Sequence, residues 1–183
     1  MTKVVGRAGK PARKKARVIG RPVGGSRELT RQRILRAANA CFGRVGYEHA
    51  TNRDIAEAAD LTAAAIYRHF PSKPDLYVAV VADALGELVV RLRAAADQPS
   101  ARAALRSVLR AAVIEPGSAG ATRFLSTIPH ELQRHPELAS RMVAAPGEVF
   151  AILQQIAAAG VRSGEIARAK SDRVVATMVT LFM

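Results

Sequence analysis

The chain has no tryptophan and only three tyrosines and five phenylalanines in 183 residues. With so few rings, alanine and leucine must carry the burial, which favours packed helices over a sheet sandwich. A single cysteine, Cys41, excludes an intramolecular disulfide and fits a reducing compartment. It falls at apolar helical spacing, so it reads as a small buried hydrophobe rather than a redox sensor. No apolar run approaches the roughly 18 residues that span a bilayer. The N-terminus also lacks the apolar stretch of a secretory signal, and a soluble, cytoplasmic protein is expected. Acid is scarce as well: 15 Asp and Glu stand against 28 Lys and Arg, a net charge of +13. Such an excess implies a polyanionic partner, nucleic acid or an anionic membrane surface.

Catalytic chemistry is missing too. There is no glycine-rich phosphate loop and no plausible set of nucleophile, base and orienting acid. An enzyme is not expected, and neither is a cofactor. His130, Glu131 and His135 hint at a zinc helix, but the histidines are five apart where a shared helical face needs four. Pro136 follows at once, so no metal site is expected.

What is present is unevenly distributed. Residues 1–25 hold eight of the basic residues, among them Arg13, Lys14, Lys15 and Arg17, and no acid. Mixed with Gly and Pro and ending in Gly24-Gly25-Ser26, residues 1–26 read as a mobile basic arm that cannot bury enough apolar surface to order itself. A plain solubility tail is the alternative. From Thr30 helical periodicity begins, with Ile34, Leu35, Ala38, Cys41, Phe42 and Val45 on one side, and Gly43 and Gly46 are expected to end this helix. Thr51 caps a short second helix with Asp54 three residues on. Asp60-Leu61 turns, Thr62 caps a third helix to Phe70, and Ser72 with Pro74 opens a long fourth one to about Ala96. Further helices are expected over 100–114, 120–134, a short one from Pro136, one from Pro146 to Ala159, and Asp172 to Met183. A connection over Gly160–Lys170 precedes the last. No strand pattern and no internal repeat is found. The expected fold is all-α, with about nine helices.

Two short helices joined by a tight turn, the second opening on a capped run of small residues, form a helix-turn-helix signature. Ala56 and Ala59 let the helices approach, Leu61 and Ile66 fill the junction, and Ile66 and Phe70 face inward. Ala63, Ala64, Tyr67 and Arg68 then face outward, with His69 beside them. On spacing alone Tyr67 reads equally as a core aromatic or a surface donor. His69 reads as a helix C-terminal residue or a phosphate contact, and Lys73 as a solvated lysine or a phosphate contact.

Over residues 30–80 the block TRQRILRAANACFGRVGYEHATNRDIAEAADLTAAAIYRHFPSKPDLYVAV resembles the N-terminal domain of TetR-type transcriptional repressors. The resemblance rests on the RxxIL opening, Phe42 with Gly46-Tyr47, Thr51 before RDIA, and IYRHFPSK. Downstream it is one of organisation only. It implies a basic arm (1–26), a three-helix DNA-binding domain (27–75) and a helical ligand-binding and dimerisation domain (76–183). It implies a homodimer on a palindromic operator of double-stranded DNA, released by a small-molecule effector, with no membrane and a nucleoid-associated location.

Carried over by position, Thr51, Tyr67, His69 and Lys73 match phosphate-contacting residues. Thr62, Ala63 and Ala64, with Arg53, match residues that touch bases or adjacent phosphates. Arg123, Thr127 and His130 lie where family members line a ligand cavity, and equally read as surface. Two departures stand out. Asp60 occupies a turn position where the family usually has glycine, and aspartate tolerates the left-handed conformation. Only Thr62 offers a hydrogen-bonding side chain on the first turn of the reading helix, which leaves Arg53 and the arm as the remaining base readers. A nucleoid-type architectural protein, its affinity dominated by the arm, is the alternative function.

Overall fold

The computed structural model describes residues 23–114, 118–142 and 146–182. The basic segment 1–22, with Arg13, Lys14, Lys15 and Arg17, lies outside the described residues. Among those described, nine α-helices follow in order: α1 Val23–His49, α2 Asn52–Ala58, α3 Ala63–His69, α4 Lys73–Ala96, α5 Ala101–Ile114, α6 Ser118–Arg134, α7 Pro136–Arg141, α8 Pro146–Arg162 and α9 Ser171–Phe182. A short 3-10 turn, Arg168–Lys170, leads into α9. No strand occurs among the described residues, and the all-α expectation holds.

Helix α1 starts well before Thr30, where apolar periodicity places it. Its opening turns carry exposed polar side chains held by local bonds, which apolar spacing does not register. Thr30 Oγ1 donates to Ser26 O at 2.8 Å, and Gln32 Nε2 to Glu28 Oε1 at 3.4 Å. The inner face of α1 is as expected, with Ile34, Leu35, Ala38, Cys41 and Phe42 buried, but Val45 is exposed. Gly43 does not end the helix. It lies inside α1 where α6 crosses, and an added Cβ would stand 3.3 Å from Phe124 Cβ. The break is at Gly46, whose φ of 78° and ψ of 172° only glycine adopts readily.

The two short helices are shaped by their caps. Thr51 Oγ1 accepts from Asp54 N at 3.1 Å, while the Asp54 carboxylate accepts from Thr51 N at 3.2 Å, a reciprocal capping box. Thr62 Oγ1 accepts from Ala65 N at 3.2 Å and starts α3. Between them Asp60 takes a φ of 52°, the left-handed turn expected of it. Arg33 of α1 donates to Ala59 O at 2.6 Å, so the end of α2 is tied back to the first helix.

Helix α4 opens on Ser72, whose Oγ accepts from Asp75 N at 3.2 Å, and runs through both hydrophobic cores of the molecule. Leu76, Tyr77, Val80, Val81 and Ala84 join the first core with α1–α3; Leu88, Leu92 and Ala95 join the second with α5, α8 and α9. The first core is not closed by α1–α4 alone. Phe124 and Ile128 of α6 and Leu138 of α7 complete it. Helix α8 continues past Ala159, because Gly160 gives room to Ile166 and Ala101, either of which a Cβ would meet within 2.6 Å.

Candidate nucleic-acid interface

Helix α3 buries Ala65 and Ile66 and caps on buried Phe70, which fixes the rest of its surface outward. Thr62, Ala64, Tyr67 and Arg68 are exposed. Tyr67 is 53% exposed, so it is no core aromatic. Ala63 departs from its expected outward position: it is partly buried, with Leu61, against the first core. The reading helix therefore presents one small residue, Ala64, between the Thr62 cap and the Tyr67–Arg68 pair. On α2, Arg53 is exposed next to Asp54, and Thr51 is exposed with its hydroxyl bonded to Asp54 Oδ2 at 2.6 Å.

His69 is half-buried at the end of α3. Burial, followed by the charges of Arg27, Arg68 and Arg31, pushes its pKa below the usual histidine value, with Glu28 opposing weakly. The imidazole thus favours the neutral form at neutral pH, able to donate one N–H, under the positive field of three arginines. Sequence reasoning misses Arg27 and Arg31. Their i, i+4 spacing on the first helix is visible, but their effect on His69 depends on where the fold places the start of α1 relative to the end of α3. Arg31 also lies 5.6 Å from the centre of the Phe70 ring.

Lys73 has a more constrained position than a solvated lysine. Its Nζ donates to Glu48 O at 3.0 Å and sits 4.7 Å from the centre of the Tyr47 ring. Burial lowers its pKa, partly offset by Glu48 and Glu131. One of its three donors is committed to the last turn of α1, and the others remain for an anion.

Directly behind this face is a polar joint between the head and the later helices. Glu131 of α6, 8% exposed, accepts the Tyr47 amide at 3.0 Å just after the Gly46 break. Arg134 pairs with Glu48 at 3.0 Å and Arg141 with Asp75 at 3.0 Å. His135 packs on the Tyr47 ring with 4.9 Å between centres. Glu131 thus turns into the core while His130 faces solvent, and the His130–Glu131–His135 trio does not converge. Among the described residues no group of three His, Cys, Asp or Glu could hold a metal.

The three ligand candidates on α6 are not gathered into a cavity. Arg123 and His130 are exposed, and the hydroxyl of half-buried Thr127 donates to Phe124 O of its own helix at 2.7 Å. An open depression of about 460 Å³ lies elsewhere, on the outer face of α4.

A capped α2, a left-handed turn at residue 60, and a capped α3 with an exposed tyrosine, arginine and histidine at its end make a helix-turn-helix. Residues 34–80 match the family model described as bacterial regulatory proteins, tetR family. Residues 34–80 form a tetR-family domain. The repressor AcnR of Corynebacterium glutamicum is 43% identical over 51 residues, covering 28% of this chain and 27% of that protein. The repressor KstR of Mycobacterium tuberculosis is 34% identical over 121 residues, 63% of this chain and 46% of that protein. The chain thus spans less than half of the length of these curated relatives. Among solved tetR-type structures, PfmR from Thermus thermophilus is 26% identical with a TM-score of 0.59, covering 82% of this chain and 86% of that one. A γ-butyrolactone receptor described as ArpA-like is 27% identical with a TM-score of 0.61, covering 85% and 77%. The family is one of transcription regulators, not enzymes, and the matched residues lie on α1–α4.

Proposed function

We propose that this chain is a sequence-specific DNA-binding repressor that sits as a homodimer on a palindromic operator and leaves it when a small molecule binds. The observation that carries the reading is the outward face of α3, with Tyr67 and Arg68 exposed and His69, favouring its neutral form, in the field of Arg27, Arg31 and Arg68. A strip of cations and neutral donors at a helix end suits a phosphate backbone, because phosphate contacts supply most of the affinity and fix register. Thr51, Tyr67, His69 and Lys73 hold phosphates; Thr62 and Ala64 lie against base edges, and Arg53 reads a base from α2. Ala64 touches a thymine methyl and lets the backbone come close. Partly buried Ala63 supports the helix.

The repressors among the relatives favour that sign of regulation, and a hormone-type receptor among the structural neighbours favours a small effector. The final two long helices, with Phe150 of α8 45% exposed, are the dimer surface in this reading. No described helix is long and apolar enough to cross a membrane. The architectural alternative rests on the eight basic residues in 1–25.

Selection of bound fragments from genomic DNA, followed by competition against random DNA, tests the two readings. The repressor reading expects an inverted repeat whose half-sites are about 34–36 Å apart. A chain lacking residues 1–26 should keep its preference while losing affinity. If removal of the arm abolishes binding and no sequence is ever preferred, the architectural reading stands instead. Arg53→Ala should relax preference, whereas Lys73→Ala should weaken all sequences alike and lower the salt slope by about one unit.

A further inference from the structure

Gly86 lies mid-way along the outer face of α4, and a Cβ added there would meet nothing within 4 Å. Glycine inside a helix weakens it relative to alanine. Nothing among the described residues requires one here: its backbone is not in the left-handed region, and no described neighbour presses on it. What the missing side chain permits is a close approach from outside. Ala82 and Val90 stand one turn to either side, so the helix offers a low ridge, and the open depression of about 460 Å³ runs along it. Val90 is 68% exposed. Asp83 and Glu87, one turn apart, edge the ridge; Glu87 lies 3.6 Å from Arg91.

The neighbouring helix carries the counterpart. Helix α5 has no acid in its 14 residues, and its inner face buries Ala101, Ala104 and Val108. Outward it shows Leu105 and Leu109, the second 55% exposed, flanked by exposed Arg106 and Arg110. Neither arginine has an ion-pair partner among the described residues. Residues four apart on a helix are separated by about 6 Å along its axis. The acid pair of α4, the arginine pair of α5 and the leucine pair of α5 therefore share one spacing, and such i±4 ridges and grooves interdigitate.

We propose that the ridge around Gly86 receives α5 of a second copy of this chain, with Leu105 and Leu109 seated against Ala82, Gly86 and Val90, and Arg106 and Arg110 against Asp83 and Glu87. Charge complementarity selects this occupant: one chain carries both a small-residue face edged by Asp83 and Glu87, with Arg91 paired to Glu87 at its far end, and a basic leucine face, on helices packed directly together. Two leucines are too little apolar area for a lipid surface. An unrelated acidic helix would suit α5 but would leave Gly86 without a reason. A two-fold axis makes the contact twice, and with the α8–α9 two-fold perpendicular to it two dimers close on each other. The pairing uses no residue assigned to DNA, and it leaves α8 and α9 clear, so it joins dimers.

Sedimentation of the full chain without DNA, over a concentration series, tests it. The expected result is a reversible step that doubles the mass of the smaller species. Arg106→Glu with Arg110→Glu should move that step to concentrations at least about tenfold higher, the scale of lost interfacial charge pairs. Gly86→Leu has open space and a good helix former, so it should keep or raise Tm while blocking the step. Adding Asp83→Arg and Glu87→Arg to the two arginine reversals should restore it. Absence of any step overturns the proposal, as does a step indifferent to Gly86→Leu. A step lost on arginine reversal but not regained by the fourfold swap overturns it too, and assigns α5 to another acidic partner. DNA affinity, measured separately, should not change in these variants; the pairing and the repressor reading can therefore fail independently.

Discussion

Five aromatic rings crowd the core beneath the DNA-binding head: Phe42, Tyr47, Phe70, Tyr77 and Phe124. The second core, where α4 meets α5, α8 and α9, is built from Leu, Ile, Val and Ala alone. Rings constrain one another. Tyr77 meets Phe42 edge-on at 5.1 Å and Tyr47 at 5.0 Å, and the positions of both depend on where Gly46 turns the chain. Aliphatic side chains interdigitate with less directional demand, so a bundle of them accepts many substitutions that keep volume. The family match falls on the ring-built side of this contrast. It covers residues 34–80, the helices that hold four of the five rings, and none of α5, α8 or α9.

The largest test of that contrast is a pair of core substitutions. Phe42→Ala should cost about 3–5 kcal/mol in denaturant unfolding, whereas Leu153→Met in the second core should cost less than about 1.5 kcal/mol. Equal losses would break the distinction between the two cores. Next in size is the backbone at the joint. Gly46→Ala must hold alanine at a φ of 78° with its Cβ 2.7 Å from Glu131 Oε1, while Gly120→Ala in α6 meets open space. The first should destabilise by about 1–3 kcal/mol, and the second should stabilise by about 0.4–1 kcal/mol. Thermal unfolding of the two variants reads both, and a harmless Gly46→Ala would show that Glu131 does not lock the turn.

The smallest effect is electrostatic, and each region supplies one case. Asp54 is held below the usual carboxylate pKa by bonds from the Thr51 hydroxyl and amide, and Glu165 by the amide of Arg102. A carboxylate whose folded pKa is depressed adds stability above its unfolded value, near about 4, and that stability disappears as pH falls through the lower folded value. Thr51→Val and Glu165→Gln should each flatten the acid limb of the stability curve slightly, with no change in shape above about pH 5. A variant whose loss persisted unchanged to the acid end of the curve would place the effect elsewhere than in the titration.

Much of the head is legible in the sequence because its determinants are local. Thr51, Thr62 and Ser72 cap helices through residues three positions away, and a left-handed Asp60 follows from what must stand in a tight turn. Tyr67 is legible in part: setting Ile66 and Phe70 inward turns it outward, as found, whereas spacing alone leaves it even between core and surface until the helix is docked. Gly43 reads as a stop because glycine usually punctuates, yet here it admits Phe124 from a helix far along the chain. Arg27 and Arg31 escape notice for the same reason, since only the fold sets their charges near His69. Arg123, Thr127 and His130 read equally as cavity lining or surface in the sequence, and in the fold Arg123 and His130 are exposed while Thr127 bonds to its own helix.

Alone, the sequence determined what depends on near neighbours: all-helical structure from an alanine- and leucine-rich, ring-poor composition, the caps, the turn at Asp60, and the helix-turn-helix that carries the family match. The tertiary structure decided what depends on contacts across the chain. It gave Glu131 the Tyr47 amide, shared α4 between two cores, closed the head's core with α6 and α7, and turned Tyr67 to solvent. Hydrogen bonds within a turn are written in the order of residues; packing between distant helices is settled only when every face has found its partner.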